Sequence, residues 1–479
     1  MKTERQSHTM QITKNDVFWN YAATFLFIAG GALLLPFILH KMPAEKVGIW
    51  SVFTTITSFV GLIDFGFNPS FTRNVTYVFS GVRSLKQTGH EAIIECDVTV
   101  DYGLLGGLIR SMRWFYSRMS IVVFLLLTTL GTYYIHTLLK RYHEPHLEVY
   151  VAWGLLIVIN TYNLYTLYYD SLLQGKGLIK RSKQIVIIGQ SVYLLIASVL
   201  ILKGFGLIAI VSAQASSVFI VRTLSYRSFF TPAVKQALKS AVPRPKNEIL
   251  HAVYPNAVKV GLTSLGGFMV TKSAMFIGSL YLTLEQIASY GISMQLIGII
   301  AVLAGIYTST YQPKIVQFRV EQNLEGIKYL YIRGALVLFL TFVAGGIGLL
   351  FIGPWALHLI GSQTQLMPFA VLLLATFVGF LESNHSMAGS VLLTKNEVPF
   401  FKASLLSGGF TVLLLFSFFY FTHLTLWAMI LAPGIAQAVY QNWKWPFEVI
   451  KELNVTFADI RYLVNSKSRW LSANLKFHH

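Results

Sequence analysis

Twelve long apolar runs, separated mostly by short polar connections, constrain this chain more than any motif in it. They lie at 18–40, 47–67, 119–138, 149–171, 185–202, 204–222, 258–280, 287–310, 332–353, 366–388, 402–421 and 424–442. Runs of about 18–24 residues match the roughly 20 residues of helix that cross the hydrocarbon core of a bilayer. In that medium each backbone polar group needs a partner within its own helix. The expected fold is therefore an all-α polytopic membrane protein of about twelve transmembrane helices. Assigning alternate connections to opposite sides puts 31 of the 38 Lys and Arg on the side of the termini, counting there Arg222, Arg333 and Lys402 at the inner edges of their spans. Five fall opposite (Lys41, Lys46, Lys140, Arg141, Lys203) and two within spans (Lys259, Lys272). Cytoplasmic loops retain Lys and Arg, so both termini are expected inside.

A composition of 54% hydrophobic and 12% charged residues, with mean hydropathy +0.58, suits the same reading. The formal charge of +18 is spread over every inner loop. It reads as topology plus attraction to anionic lipid headgroups, and no nucleic-acid partner is expected. The single cysteine, Cys96, excludes a disulfide framework within the chain. The first apolar run is long and lacks a small-residue cleavage site, so it is read as a span. The outer connections 41–46, 139–148, 203, 281–286, 354–365 and 422–423 leave no room for an external catalytic domain.

Organisation follows from the connections. Residues 1–17 form an inner N-terminus, 18–222 a first lobe of six helices, 258–442 a second lobe of six, and 443–479 an inner tail. The intervening 223–257, with Pro232, Pro243, Pro245 and Pro255, is the expected linker. In 68–118, an acidic patch (Glu91, Glu95, Asp97, Asp101) precedes Leu104, Leu108, Met112, Phe115 and Met119, spaced by three or four residues. That spacing predicts an amphipathic helix lying on the inner surface. A faint repeat aligns Glu45–Ser51 with Glu285–Gly291, each at the outer start of the second span of its set, with Pro69 and Pro313 closing those spans. Six spans per half in the same orientation suggest parallel repeats.

Catalytic signatures are absent. Gly175-Lys176-Gly177 lacks the spacing and hydroxyl of a nucleotide-binding loop, and no H-E-x-x-H occurs. His385 beside Glu382 and Asn384 is too sparse for a metal site, so neither a cofactor nor an enzymatic activity is expected.

Ionisable groups at membrane depth are the default functional candidates. Lys272 lies about fourteen residues into a span entered at Val258, roughly 20 Å deep. It reads as a cation facing a water-filled cavity, or as a lysine paired for packing. Lys259, one residue in, also fits a snorkelling anchor. Asp64, Asp170 and Glu382 approach the inner ends of their spans, where each serves either function or pairing with Arg73, Arg222 or Lys395. In the fourth span the stripe Asn160, Thr161, Tyr162, Asn163, Tyr165, Tyr168, Tyr169 suits helix association, and equally the binding of sugar rings.

The segments M-P-A-E-K-V-G-I-W-S (42–51), L-I-D-F-G-F (62–67) with Arg73 soon after, and L-L-Q-G-K-G (172–177) resemble the polysaccharide-exporter branch of the multidrug/oligosaccharidyl-lipid/polysaccharide exporter superfamily. More narrowly, the chain resembles the Wzx-type O-antigen-repeat flippases of bacteria, over nearly its whole length. The resemblance implies a V of two lobes around a central cavity in the bacterial inner membrane. It implies movement of undecaprenyl-pyrophosphate-linked oligosaccharide to the outer leaflet by alternating access, for lipopolysaccharide assembly. Such a monomer would act beside glycosyltransferases or the polymerase of the same pathway. By matched position, Arg73, Lys259 and Lys272 would serve the pyrophosphate and Asn160, Asn163 and Tyr165 the sugars. Asp64 and Glu382 would couple transport to a proton or Na⁺ gradient. The first span carries no charge short of His40, unlike many such flippases. Two alternatives remain open: a multidrug or small-molecule cation antiporter of the same superfamily, and a membrane-embedded transferase using the lipid carrier.

Overall fold

A computed structural model describes residues 14–79, 81, 100–320, 322–395, 399–459 and 461. Every regular element among them is helical. In chain order they are α1 (Lys14–Lys41), α2 (Ala44–Leu62), α3 (Phe67–Phe79), α4 (Tyr102–Leu139), α5 (Leu147–Gly175), α6 (Ile179–Leu202), α7 (Gly206–Phe229), α8 (Pro232–Ser240) and α9 (Lys246–Tyr281). There follow α10 (Leu284–Val320), α11 (Leu324–Leu359), α12 (Phe369–Leu392), α13 (Phe401–Phe421), α14 (Leu426–Ala438) and α15 (Gln441–Glu452).

Each of the twelve apolar runs contains helix. By length and apolarity alone, eight helices among the described residues qualify as spans, or nine if α2 and α3, bent by 45°, count as one. The runs 18–40, 258–280 and 424–442 fall on α1, α9 and α14. Of these, α14 is short, with 13 residues before the chain turns at Tyr440.

The chain divides into two compact units. The first comprises 1–268, 279–288 and 357–364; the second comprises 269–278, 289–356 and 365–479. The division falls inside α9 rather than in 223–257. That expected linker belongs to the first unit and is fastened to the start of α4. The Arg244 backbone N–H donates to the Gly103 carbonyl (3.1 Å), and the Arg244 guanidinium pairs with Asp101 (3.1 Å). Asp101 also caps α4 by accepting from the Leu104 N–H. Cys96 and the acidic residues Glu91, Glu95 and Asp97 lie outside the described residues.

One expectation is corrected. The stripe from Leu104 to Phe115 does not form a separate surface helix, because it belongs to α4, the same helix that forms the third span. Leu104, Leu108 and Met112 are 0–2% exposed, and Phe67 stacks on Phe115 at 3.8 Å. The apolar face found protein to cover it, which removes the reason to lie on lipid. At Pro313 the expectation agrees with the structure: the apolar, span-like part of α10 is Leu284–Gln312, although the helix itself continues to Val320.

The third helix of each half carries the same irregularity. A π-helical turn interrupts α4 at Leu127–Gly131 and α11 at Gly348–Ile352. Measured from the helix starts at Tyr102 and Leu324, the two turns begin 25 and 24 residues in. An extra residue in a helical turn is uncommon and costs hydrogen-bond geometry. Its recurrence within one residue of the same position agrees with an internal repeat.

Candidate functional site

The first unit is organised around the turn between α2 and α3. Phe65 and Gly66 both have positive φ (48° and 69°), which reverses the chain locally and creates the bend. A bulky residue avoids that region, so the turn must be held from outside. Asp64 does this. Its carboxylate accepts the Asn68 N–H (3.0 and 3.1 Å), capping α3, and the Tyr116 hydroxyl (2.6 Å) from α4. A Cβ on Gly261 of α9 would stand 2.8 Å from the Phe65 Cα and carbonyl oxygen, so only glycine lets α9 pass the turn. The Q-G loop is seated in the same way. A Cβ on Gly175 would meet Val75 and the Thr72 carbonyl, Gly177 has φ +81°, and Lys176 lies over the rings of Phe79 and Phe229. Burial there pushes the Lys176 ammonium pKa down.

A second cluster joins α5 to α7. The guanidinium of Arg222, 5% exposed, donates Nη1 to Asp170 (2.6 Å). Its Nε and Nη2 donate to Asn163 Oδ1 (3.1 and 2.6 Å). Asn160, 1% exposed, donates to Thr57 of α2 at 3.4 Å. Arg113 donates to the buried Tyr168 hydroxyl (3.2 Å). Asn160 and Asn163, considered for sugars, are thus engaged in helix-to-helix hydrogen bonds, whereas Tyr165 is exposed. Arg73 is exposed on α3, and Asp64 is held by Tyr116 rather than by an arginine.

The α1–α2 and α4–α5 connections of the first unit are tied by charge. Lys46 bridges Glu144 (3.0 Å) and Glu148 (2.9 Å), while Glu45 takes both the backbone N–H (3.1 Å) and Nδ1 (2.7 Å) of His143. The hydrogen bond and charge of Glu45 raise the His143 pKa. Segment 279–288 joins this group through Arg141, which donates to the Leu282 carbonyl (3.2 Å).

In the second unit, Lys272 and Glu382 come together. Lys272 is exposed and stands nine residues before the end of α9 at Tyr281, about 14 Å along the helix. Glu382, half-buried, stands thirteen residues after Phe369 and ten before Leu392, about 20 Å and 15 Å from the two ends of α12. Because α12 extends further than the sequence suggested, Glu382 lies near mid-helix. Lys272 is within electrostatic range of Glu382, and so is the buried Tyr290 of α10. Lys272 and Glu382 make no contact ion pair among the described residues. The cation remains accessible to an outside anion. Lys395, the partner considered for Glu382, pairs with Glu452 instead (2.9 Å). One turn beyond Glu382, His385 hydrogen-bonds Asn442 of α15 (2.9 Å). Lys259 lies on α9, but its side chain is outside the described residues. No group of three metal-ligating side chains occurs among the described residues.

Sequence reasoning did not single out Tyr116, Tyr290 or Asn442. Each is an ordinary residue by type, and only the packing of helices distant in sequence gives it a partner.

No family model matches the chain, and no curated protein matches it. Solved structures do. An inward-facing multidrug resistance MATE family transporter of the MOP superfamily is 14% identical with TM-score 0.58, over 94% of this chain and 98% of its own. The lipid II flippase MurJ, in an inward closed conformation, is 12% identical with TM-score 0.56, over 93% and 89%. The MATE multidrug transporter DinF-BH, in a ligand complex, is 12% identical with TM-score 0.57, over 94% and 98%. The chain thus has the helical fold of transporters of that superfamily and the architecture of a multi-pass membrane protein.

Proposed function

We propose that this protein is a flippase that moves undecaprenyl-pyrophosphate-linked oligosaccharide from the inner to the outer leaflet of a bacterial inner membrane by alternating access. The observation that carries the reading is Lys272, an exposed cation at membrane depth with a carboxylate in electrostatic range but not in contact. A charge at that depth is expensive and is kept where it has an anionic partner. A pyrophosphate is such a partner. It would compete with Glu382 for Lys272, and the released carboxylate could then take a proton or Na⁺, which ties movement to a gradient. The lipid II flippase of like fold favours a lipid-linked substrate.

A second reading has support from Glu382 and Tyr290, since a carboxylate beside an aromatic ring also suits an organic cation. Such an antiporter would expel cationic dyes, and multidrug transporters are among the proteins of like fold. Reconstitution separates the two. Proteoliposomes carrying a fluorescent prenyl-pyrophosphate-linked sugar should show protein-dependent exposure to an outside quencher, while dye efflux stays at the empty-liposome rate. Dye efflux without lipid movement would establish the antiporter instead.

A further inference from the structure

The inner tail expected after residue 442 holds a helix that no sequence motif announced. Around α15, Gln441, Trp445, Pro446 and Val449 point into the protein and are buried, Gln441 and Trp445 at 4% exposed and Val449 at 0%. A second apolar face looks away from it: Trp443, Phe447 and Ile450, at i, i+4 and i+7, are 52%, 56% and 42% exposed, with Tyr440 beside them at 39%. The third face, between these two, carries Lys444, Glu448 and Lys451. At about 100° per residue the two apolar faces adjoin on one side and the charged wedge closes the circle on the other. A helix with one face on protein, one apolar aromatic face uncovered and one narrow charged wedge meets three media at once, which is the situation at the edge of a bilayer. Its charged neighbours fit that place. Lys444 is tied to Glu448 (2.9 Å), Lys451 is exposed, and Arg319 and Lys395 converge on Glu452 at its end. Basic groups beside Trp and Tyr mark the cytoplasmic interface.

Its start is tied to the span of interest. Asn442 Oδ1 accepts from His385 Nδ1 (2.9 Å), and His385 lies one turn from Glu382. Trp445 is pinned by Phe400 and by its own hydrogen bond to Gln441.

We propose that α15 is an interfacial anchor whose Trp443, Phe447 and Ile450 face inserts into the inner leaflet, with Lys444 and Lys451 at anionic phospholipid headgroups, and whose hold on His385 lets the leaflet bias the Glu382 turn. The occupant of this face is lipid and not a protein partner. The anchoring half of the inference is independent of what the protein transports, and the second half rests on the proposed role of Glu382.

The test uses the full chain with Phe447→Cys in a Cys96→Ser background, labelled with an environment-sensitive fluorophore and reconstituted in phosphatidylethanolamine with or without phosphatidylglycerol. Emission should be blue-shifted and quenched by lipids brominated on their acyl chains, and insensitive to iodide in the water. Quenching by iodide and not by brominated lipid would overturn the anchor. With phosphatidylglycerol present, labelled Lys444→Gln/Lys451→Gln protein should show brominated-lipid quenching reduced by about half. Unchanged quenching would remove the headgroup contribution. For the second half, transport by wild type should rise severalfold with phosphatidylglycerol, and Asn442→Ala should abolish that rise while leaving the label quenched by lipid. A persistent rise in Asn442→Ala would sever the leaflet from Glu382.

Discussion

Replacing Arg222 with Met tests whether the α5–α7 cluster is scaffold or substrate site. The substitution deletes one charged hydrogen bond to Asp170 (2.6 Å) and two to Asn163 (3.1 and 2.6 Å). Hydrogen bonds to charged groups contribute about 1.5–3 kcal/mol in water-soluble proteins, whereas interhelical bonds in membranes average about 0.6 kcal/mol and reach about 1.7. Three bonds at the membrane scale give about 2–5 kcal/mol. To this the stranded Asp170 carboxylate adds little, because its side chain keeps 27% of its exposure and stays near water. For a large domain each kcal/mol moves the unfolding midpoint by about 2 °C, so the drop should be roughly 4–10 °C. Heating detergent-solubilised protein and following its monodisperse fraction measures this. Adding Asp170→Asn should then change the midpoint little, since the stranded carboxylate stays near water. If Arg222→Met kept the wild-type midpoint yet lost transport, the cluster would be a binding site and the structural reading of Asn163 would be refuted.

Three further outcomes follow from the geometry. Gly261→Val forces a branched side chain against the Phe65 backbone and should destabilise the protein by about 1–3 kcal/mol or more, as overpacking does, seen as a lowered midpoint; an unchanged midpoint would mean α9 does not pass that turn so closely. The His143–Glu45 tie has a defined pH sign: the folded-state pKa of His143 lies above its ordinary value of 6.5, so its stabilisation is fully present below 6.5 and fades as pH rises through the raised value. The midpoint of wild type should therefore fall over that window relative to His143→Ala, and parallel curves would contradict the tie. Glu382→Gln should leave slow translocation intact but abolish its acceleration by an imposed proton or sodium gradient; a wild-type gradient response would assign coupling elsewhere.

Much of the fold was legible because the bilayer imposes it. Apolar runs of spanning length need no partner to declare themselves, and each of the twelve contains a helix. What the sequence misjudged were places where helices meet protein instead of lipid. The Leu104 stripe has the amphipathic period of a surface helix, and only the presence of Phe67 and its neighbours says what covers it. α15 escaped notice for a different reason: its amphipathic period is carried by only twelve residues, which follow directly on the last apolar run. Of the candidate site, Lys272 and Glu382 stood out individually because charge in a span is rare. Their proximity did not, since more than a hundred residues separate them and the nearer cation in sequence, Lys395, belongs to Glu452. The D-F-G turn was recognisable as a pattern, while its cause, a left-handed pair capped by Asp64 and held by Tyr116, needed coordinates.

All of the transport reading depends on Lys272 holding the anionic head of a lipid-linked substrate. At about 4 Å and an effective dielectric of about 20, one lysine attracts a unit charge by about 4 kcal/mol. Exposure of the side chain reduces this to about a third, which still corresponds to about tenfold in affinity. The direct measurement is the rate at which purified protein in proteoliposomes moves a fluorescent prenyl-pyrophosphate sugar, compared between wild type and Lys272→Met at equal reconstitution and equal midpoint. At least about a tenfold loss is expected, with part of the rate returned by Lys272→Arg. Translocation by Lys272→Met at the wild-type rate would contradict the assignment of this lysine to the substrate.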